Sequence, residues 1–541
     1  MPQDPITAIQ QDLSAGRFRA ARKKAQINRK KYPKEVAFPV LAARAAAGEG
    51  DHTAAAAEFA QALRLDPSNH PLRCDLAMAL ILSDRADRVE PLLDAVPAGS
   101  PSAPVADYMR AMIAMRRADF RAVIAAADRA LAINPGMTEA LNLRGMAQAE
   151  LGRPAAAIAD FRAALACQPA NQRARENLAD RLSEAGDFAA ARAEYRTLLT
   201  MNPAHGHALF RLAQLLPATD LPMLAPTIEA ALGARPRDPA HEALLNMAAG
   251  TLHARQGDTA RATAHLNRAH AIDARARPPG TRARDSFARA ERLFADPAPV
   301  AAPLGGPRPI FIVGMPRSGS TLVEMILTSA PGVASCGELV TAERLYRELI
   351  QPAAALTPEL IATFAKGYRD ALPDLPDDAA AFVDKMPANH AHLGLLLSAF
   401  PEARAVDMLR DPRDVAASMW MQRFAAGGMA YASSMRHIGE VANIYRRHMA
   451  RWTAMFPDRI LTLRYEDLVR DLEGSTHRLA EFCGIDWTPA MLTPEANTAT
   501  VRTASLGQVR EKVHTRSIGK WEILGGGLDE LTKVLEPGLW P

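Results

Sequence analysis

Residues 309–331 read Pro309-IFIVGMPRSGSTLVEMILTSA-Pro331. Ile310 to Val313 is a short apolar run of the kind that forms a strand buried on both faces of a parallel sheet. Thr321 to Ser329 has helical composition. Between them lies a loop, Gly314 to Thr321, with glycines at 314 and 319. Backbone N–H groups of such a loop, with a helix N-terminus behind them, bind an anion. The stretch therefore predicts an α/β domain whose first strand leads into an anion site.

The loop follows GxxxxGST, close to the phosphate-loop pattern GxxxxGK[ST]. The lysine that reaches the β- and γ-phosphates of a triphosphate is replaced by Ser320, and Arg317 sits inside the loop instead. A nucleotide kinase without that lysine is handicapped. A donor with one 5′-phosphate and a sulfuryl group needs no lysine there. PRSGST followed by a helix resembles the 5′-phosphosulfate loop of sulfotransferases, whose donor is 3′-phosphoadenosine 5′-phosphosulfate (PAPS). The resemblance implies donor-binding roles for Arg317, Ser318, Gly319, Ser320 and Thr321.

A second strand–turn–helix follows at Ala403-RAVDMLRDPRDVAASM-Trp420. Ala405 to Leu409 reads as the strand, and Pro412 falls in the first turn of the helix. Arg410 and Ser418 stand eight residues apart, so a strand end and the following helix can offer both to one anion. This resembles the 3′-phosphate motif of sulfotransferases.

Further segments resemble the tyrosylprotein sulfotransferases and their bacterial relatives. Asp384-Lys-Met-Pro387 is similar to the segment whose lysine stabilises the transferring sulfuryl group, which implies that role for Lys385. Arg464-Tyr-Glu-Asp-Leu468 is similar to the element whose tyrosine, here Tyr465, reaches the 3′-phosphate. Ser505-LGQVREKVHTRSIGK-Trp521 resembles the late segment that wraps the nucleotide, implying a catalytic Ser505 and a nucleotide contact from Lys520. Relatives carry Cys-Gly-Glu-Glu, the second glutamate being the base, where this chain has Cys336-Gly-Glu-Leu339. Counting from the loop places Glu338 at the base's position, whereas aligning on Cys-Gly places Leu339 there. A phenol or alcohol needs a carboxylate to take its proton, so Glu338 is preferred. Glu324, in the loop helix, is expected to face solvent. His390, His392 and His514 lie near matched segments and are the other candidates.

The resemblance implies direct in-line transfer of SO₃ to an acceptor hydroxyl. Glu338 would act as base, with Arg317, Lys385 and Ser505 facing the developing negative charge and no metal required. A peptide tyrosine is the favoured acceptor, with a carbohydrate or small-molecule hydroxyl as the alternative. A repeat scaffold with an inactive transferase domain is the rival of another class.

Upstream, prolines recur at 33, 67, 101, 135, 169 and 203, each 34 residues after the last. Gly16, Gly50, Gly152 and Gly186 each lie 17 residues before one of them, while Asp84 and Ala118 hold that phase in the third and fourth copies. The glycine permits a turn between two helices and the proline ends the second. Small residues such as Ala157, Ala164 and Ala191 suit close helix crossings, with Phe161 and Tyr195 filling the gaps. The pattern resembles the tetratricopeptide repeat. Residues 243–273 look like one more degenerate copy turning at Gly257.

The expected architecture is an α-solenoid of tetratricopeptide-like repeats over 1–275, a linker over 276–306 and a P-loop-like α/β sulfotransferase domain with a parallel sheet over 307–541. The array either presents an acceptor protein or peptide or serves as a scaffold, with a homodimer left open. A balance of 64 Lys+Arg against 60 Asp+Glu does not suggest a nucleic-acid binder. Four scattered cysteines without a CxxC pair, no leader-like start and no long apolar run point to a cytoplasmic protein without a membrane span.

Overall fold

The computed structural model describes residues 4–234, 238–278, 288–289, 292–294, 300–303, 305–424, 429–497 and 511–540. At every position of the 34-residue turn phase the backbone is left-handed. Gly16, Gly50, Gly152 and Gly186 have φ between +71° and +87°, while Asp84 and Ala118 adopt +60° and +55°. Wherever an aspartate follows this residue, at Asp51, Asp119 and Asp187, it caps the next helix by accepting from the N–H three residues on. Three residues thus suffice to end one helix and begin the next. Ala118 is exposed. A left-handed L-residue costs about 1–2 kcal/mol, whereas glycine adds about 0.5–1 kcal/mol of unfolded-state entropy. Ala118→Gly should therefore stabilise the chain by roughly 0.5–1 kcal/mol. A rise in the urea midpoint of the repeat transition is the check.

The chain divides into two compact units, 1–178 and 179–541. The first is helical, running from the pair Pro5–Ser14 and Phe18–Lys31 to the pair Thr138–Glu150 and Pro154–Cys167. Its third copy departs from the pattern. The second helix there shrinks to Glu90–Asp94, in a stretch interrupted by Pro91 and Pro97. Helices cross where side chains are small. A Cβ on Gly145 would lie 2.8 Å from the Phe161 ring, and Phe161 is buried between Ala157 and Ala164 along its own helix.

The second unit begins with further helices of the same kind. The degenerate copy is present as Pro239–Arg255 and Thr259–Ala276, turning at Gly257 with φ +80°. The sheet follows. Its strands are β1 (Arg308–Gly314), β2 (Val333–Ser335), β3 (Ala381–Asp384), β4 (Arg404–Leu409) and β5 (Ile460–Arg464). All are parallel, in the order β2-β3-β1-β4-β5. Both faces of β1 are covered. Ile310 and Ile312 pack with Val323, Ile326, Val406 and Leu461, while Phe311 meets the edges and faces of Tyr368 and Phe400 on the other side. A continuous apolar run is what a central parallel strand requires. The carboxyl ends of β1, β3 and β4 lie side by side, where open α/β sheets bind ligands.

Candidate functional site

Gly314, the last residue of β1, lies close against β4. A Cβ at Gly314 would come within 2.7 Å of the Met408 carbonyl oxygen. The next helix begins at Ser320, with Gly319 before it at φ +105°. A Cβ on Gly319 would lie 2.6 Å from the Tyr465 ring, so the loop is held tight against that aromatic. Arg317, between them, adopts φ +71°. Such strain, about 1–2 kcal/mol for an L-residue, persists only where the surroundings over-determine it. Here its carbonyl accepts from Arg410 Nη1 at 3.0 Å, and its Nε donates to Ser418 Oγ at 2.9 Å.

Arg410 stands just beyond β4. Its guanidinium lies over the Tyr465 ring at 4.2 Å, donates to the Ser517 carbonyl and has Asp414 at 4.0 Å. Arg317 and Arg410 are both buried. Burial, and then the Arg410 charge, push the Arg317 guanidinium down to about 10. Two desolvated like charges side by side are what an anion would stabilise. The Ser318 hydroxyl and Arg410 Nε are buried without a hydrogen-bond partner among the described residues. Ser320 and Thr321 are buried at the start of the loop helix. Ser418 is half-buried on the helix Pro412–Trp420, capped by Asp411. Asp414 of that helix accepts from the N–H groups of Gly519 and Trp521 at 2.8 and 2.9 Å, tying the late segment to it. Arg317, Ser318, Gly319, Ser320, Thr321, Arg410, Ser418 and Tyr465 thus form one cluster. Lys520 is exposed at its edge, where partial desolvation and the charge of Arg410 lower its pKa. Ser505 lies outside the described residues.

A second group of side chains gathers at the end of β3. Lys385, fully buried, hydrogen-bonds the Glu338 carboxylate and has Glu324 at 3.9 Å. The Glu338 side chain is 39% exposed, so it is open to an incoming molecule. Glu324 is not solvent-facing as the sequence suggested. It is 7% exposed and accepts from the Ser335 hydroxyl at 2.7 Å. Burial pushes its carboxyl up, while Lys385 and Ser335 pull it down. The loop helix is apolar on nearly every side and has no solvated face for an acid to occupy.

Asp384, to which the sequence motifs assign no role of its own, adjoins this group. It is fully buried and accepts from the Tyr368 hydroxyl, from Asn389 Nδ2 at 2.9 Å and from the Leu339 N–H at 3.3 Å. Burial pushes its carboxyl up to about 7 against the pull of these donors. Lys385 N–H donates to the Gly337 carbonyl at 2.9 Å, so Asp384 and Lys385 together fix the segment that carries Glu338. An acid ending the apolar run Ala381-Phe-Val383 had to be paired, which was the signal available in the sequence.

The three histidines are engaged elsewhere. His390 is within 3.0 Å of His448, ring nitrogen to ring nitrogen, and burial pushes His390 well down and His448 to about 3. His392 pairs with Glu343 at 2.8 Å and His514 with Glu511 at 3.3 Å.

Residues 309–489 match the sulfotransferase family, and tetratricopeptide-repeat families match 8–70, 46–113, 112–182 and 177–218. The chain carries a sulfotransferase domain behind tetratricopeptide repeats. An uncharacterized protein of Aquifex aeolicus (strain VF5) is 35% identical over 248 residues, which is 43% of this chain and 32% of that protein. Protein-tyrosine sulfotransferase 1 of Danio rerio is 25% identical over 242 residues, 39% of this chain and 65% of its own length. This chain therefore spans less than two thirds of either relative. The sulfotransferase domain of the Synechococcus PCC 7002 olefin synthase is 22% identical, with 42% of this chain and 94% of that one covered at a TM-score of 0.32. Similarity of the sulfotransferase domain to the protein-tyrosine enzymes is weak, at about 25% identity. No helix among the described residues is long and apolar enough to cross a membrane.

Proposed function

We propose that this chain transfers a sulfuryl group from PAPS to an acceptor hydroxyl, with a protein or peptide tyrosine as the acceptor. The observation that carries the donor assignment is the pair of buried guanidiniums, Arg317 and Arg410, meeting at Ser418 and the Arg317 carbonyl beside a loop without the triphosphate lysine. The buried, unpartnered Ser318 hydroxyl and Arg410 Nε fit an anionic group at the same cluster. Ser318, Thr321 and the first N–H groups of the loop helix would hold the 5′-phosphate. Arg410, Ser418 and Tyr465 would hold the 3′-phosphate, with Arg317 between the two groups and Lys520 at the rim.

When bound, the donor supplies an SO₃ group on a phosphate leaving group. Glu338, the exposed carboxylate of the β3 cluster, takes the proton of the acceptor hydroxyl. Lys385 bonds that carboxylate. As Glu338 becomes neutral, the buried ammonium faces the negative charge building on the sulfuryl oxygens. Asp384 and Tyr368 hold Lys385 and the Glu338 segment in register, so positioning precedes chemistry. Ser505, matched by its motif alone, is proposed to face the same charge.

The tyrosine acceptor is supported by the similarity to protein-tyrosine sulfotransferases and by a repeat array of a kind that presents peptides. We place the protein in the cytoplasm, with domain limits at 275 and 307, and propose no resident metal and no nucleic-acid partner. Incubation with ³⁵S-labelled PAPS and a panel of tyrosine peptides, glycans and small phenols tests the reading. Label should pass to the tyrosine peptides. Label passing only to glycans or phenols would move the acceptor assignment, and no transfer to any of them would refute the proposed activity.

A further inference from the structure

Beyond the residues that face the donor, we infer that the last repeat helix, Thr259–Ala276, is a positioning element of the donor site, acting through His270, Asn267 and Asp273 on the end of the Ser418 helix. This rests on the donor reading given above. The helix Pro412–Trp420 has nine residues, too short to be stable alone, and its last carbonyls need partners from outside. The Trp420 carbonyl finds one in His270 Nε2 at 2.8 Å. A carbonyl only accepts, so Nε2 must carry the hydrogen. The two rings stack with centroids 3.8 Å apart, and both residues are buried. Trp420 Nε1 donates to Asn267 Oδ1 at 3.2 Å. Arg423, just beyond, grips Asp273 with two bonds of 2.8 and 2.9 Å. Burial pushes His270 down to about 4, so the ring stays neutral at ordinary pH and the contact is not a charge pair.

Ser418 lies two residues before Trp420, less than one turn from these contacts, and holds Arg317 Nε. Loss of the anchor would let the last turn fray and move Ser418 and Arg317 together. The same repeat helix also meets the late segment. A Cβ on Gly527 would lie 3.4 Å from Thr263 Cγ2, and that segment is tied to Asp414 at the other end of the Ser418 helix. One repeat helix therefore supports the Ser418 helix directly at one end and through Gly519 and Trp521 at the other.

The test uses the full chain. Calorimetric dissociation constants for 3′-phosphoadenosine 5′-phosphate (PAP), donor KM, kcat and thermal midpoints are compared for wild type, His270→Ala, Asn267→Ala and His270→Gln. His270→Ala should raise the PAP Kd and the donor KM about 10-fold, with kcat at saturating donor changed less than about 3-fold. Asn267→Ala should raise both about 3-fold. His270→Gln, whose amide can donate to the Trp420 carbonyl, should recover most of the loss. If Asn267→Ala and His270→Ala lower the midpoint but bind PAP as wild type does, the contact is packing only and the inference is wrong. If wild type itself binds no PAP, the donor reading fails first, and the variants then bear on nothing but stability, which also refutes the inference. Should His270→Ala fail to fold, Asn267→Ala and His270→Gln still decide the matter through Kd.

Discussion

Arg410→Ala should raise the dissociation constant for PAP about 100-fold, the largest binding effect expected of any single change here. Hydrogen bonds to charged groups contribute about 1.5–3 kcal/mol, and an anion left beside an emptied corner loses its partner outright. Arg410 does more than present charge. Its guanidinium lies over the Tyr465 ring, donates to the Arg317 carbonyl and reaches the Ser517 carbonyl, so one group braces the loop, the aromatic and the late segment together. Arg410→Lys should therefore recover little, because an ammonium has neither the flat face nor the fork. Calorimetry on the three proteins is the check, and near-normal binding by Arg410→Lys would contradict the bracing role.

Glu338→Gln should lower kcat by about 10²–10⁴-fold while leaving the PAP Kd within a few-fold of wild type. Its carboxylate is the accessible one of the two near Lys385, since Glu324 is buried against Ser335. Glutamine keeps a hydrogen-bond acceptor for Lys385 but cannot take the acceptor's proton. Full activity in Glu338→Gln would show that another group is the base. Glu324→Gln would then be the next variant to measure.

Much of this site could be read from the chain because its chemistry is local. The strand, loop and helix around Arg317 are contiguous, and Arg410 and Ser418 sit within one strand–helix junction. The repeat turns were legible for a similar reason: the 34-residue phase marked Asp84 and Ala118 even though neither is glycine, and both adopt the left-handed backbone that the phase demands. What could not be read depends on contacts between distant elements. Glu324 faces Lys385 because the loop helix packs against the end of β2 at Ser335, a matter of helix rotation that spacing does not set. The hold of Asp384 on the Leu339 N–H and of His270 on the Trp420 carbonyl joins residues 45 and 150 positions apart. Side chains at such separations meet through sheet order and helix packing, which no motif spells out.

The donor assignment can be tested most directly by titrating the full chain with PAP, 5′-AMP and ATP with magnesium. The cluster built from Arg317, Arg410 and Ser418 predicts that PAP binds at least about 10-fold more tightly than 5′-AMP, the difference being the 3′-phosphate. ATP with magnesium should bind weakly, for want of the loop lysine at Ser320. Tighter binding of magnesium–ATP than of PAP, or equal binding of PAP and 5′-AMP, would contradict the assignment.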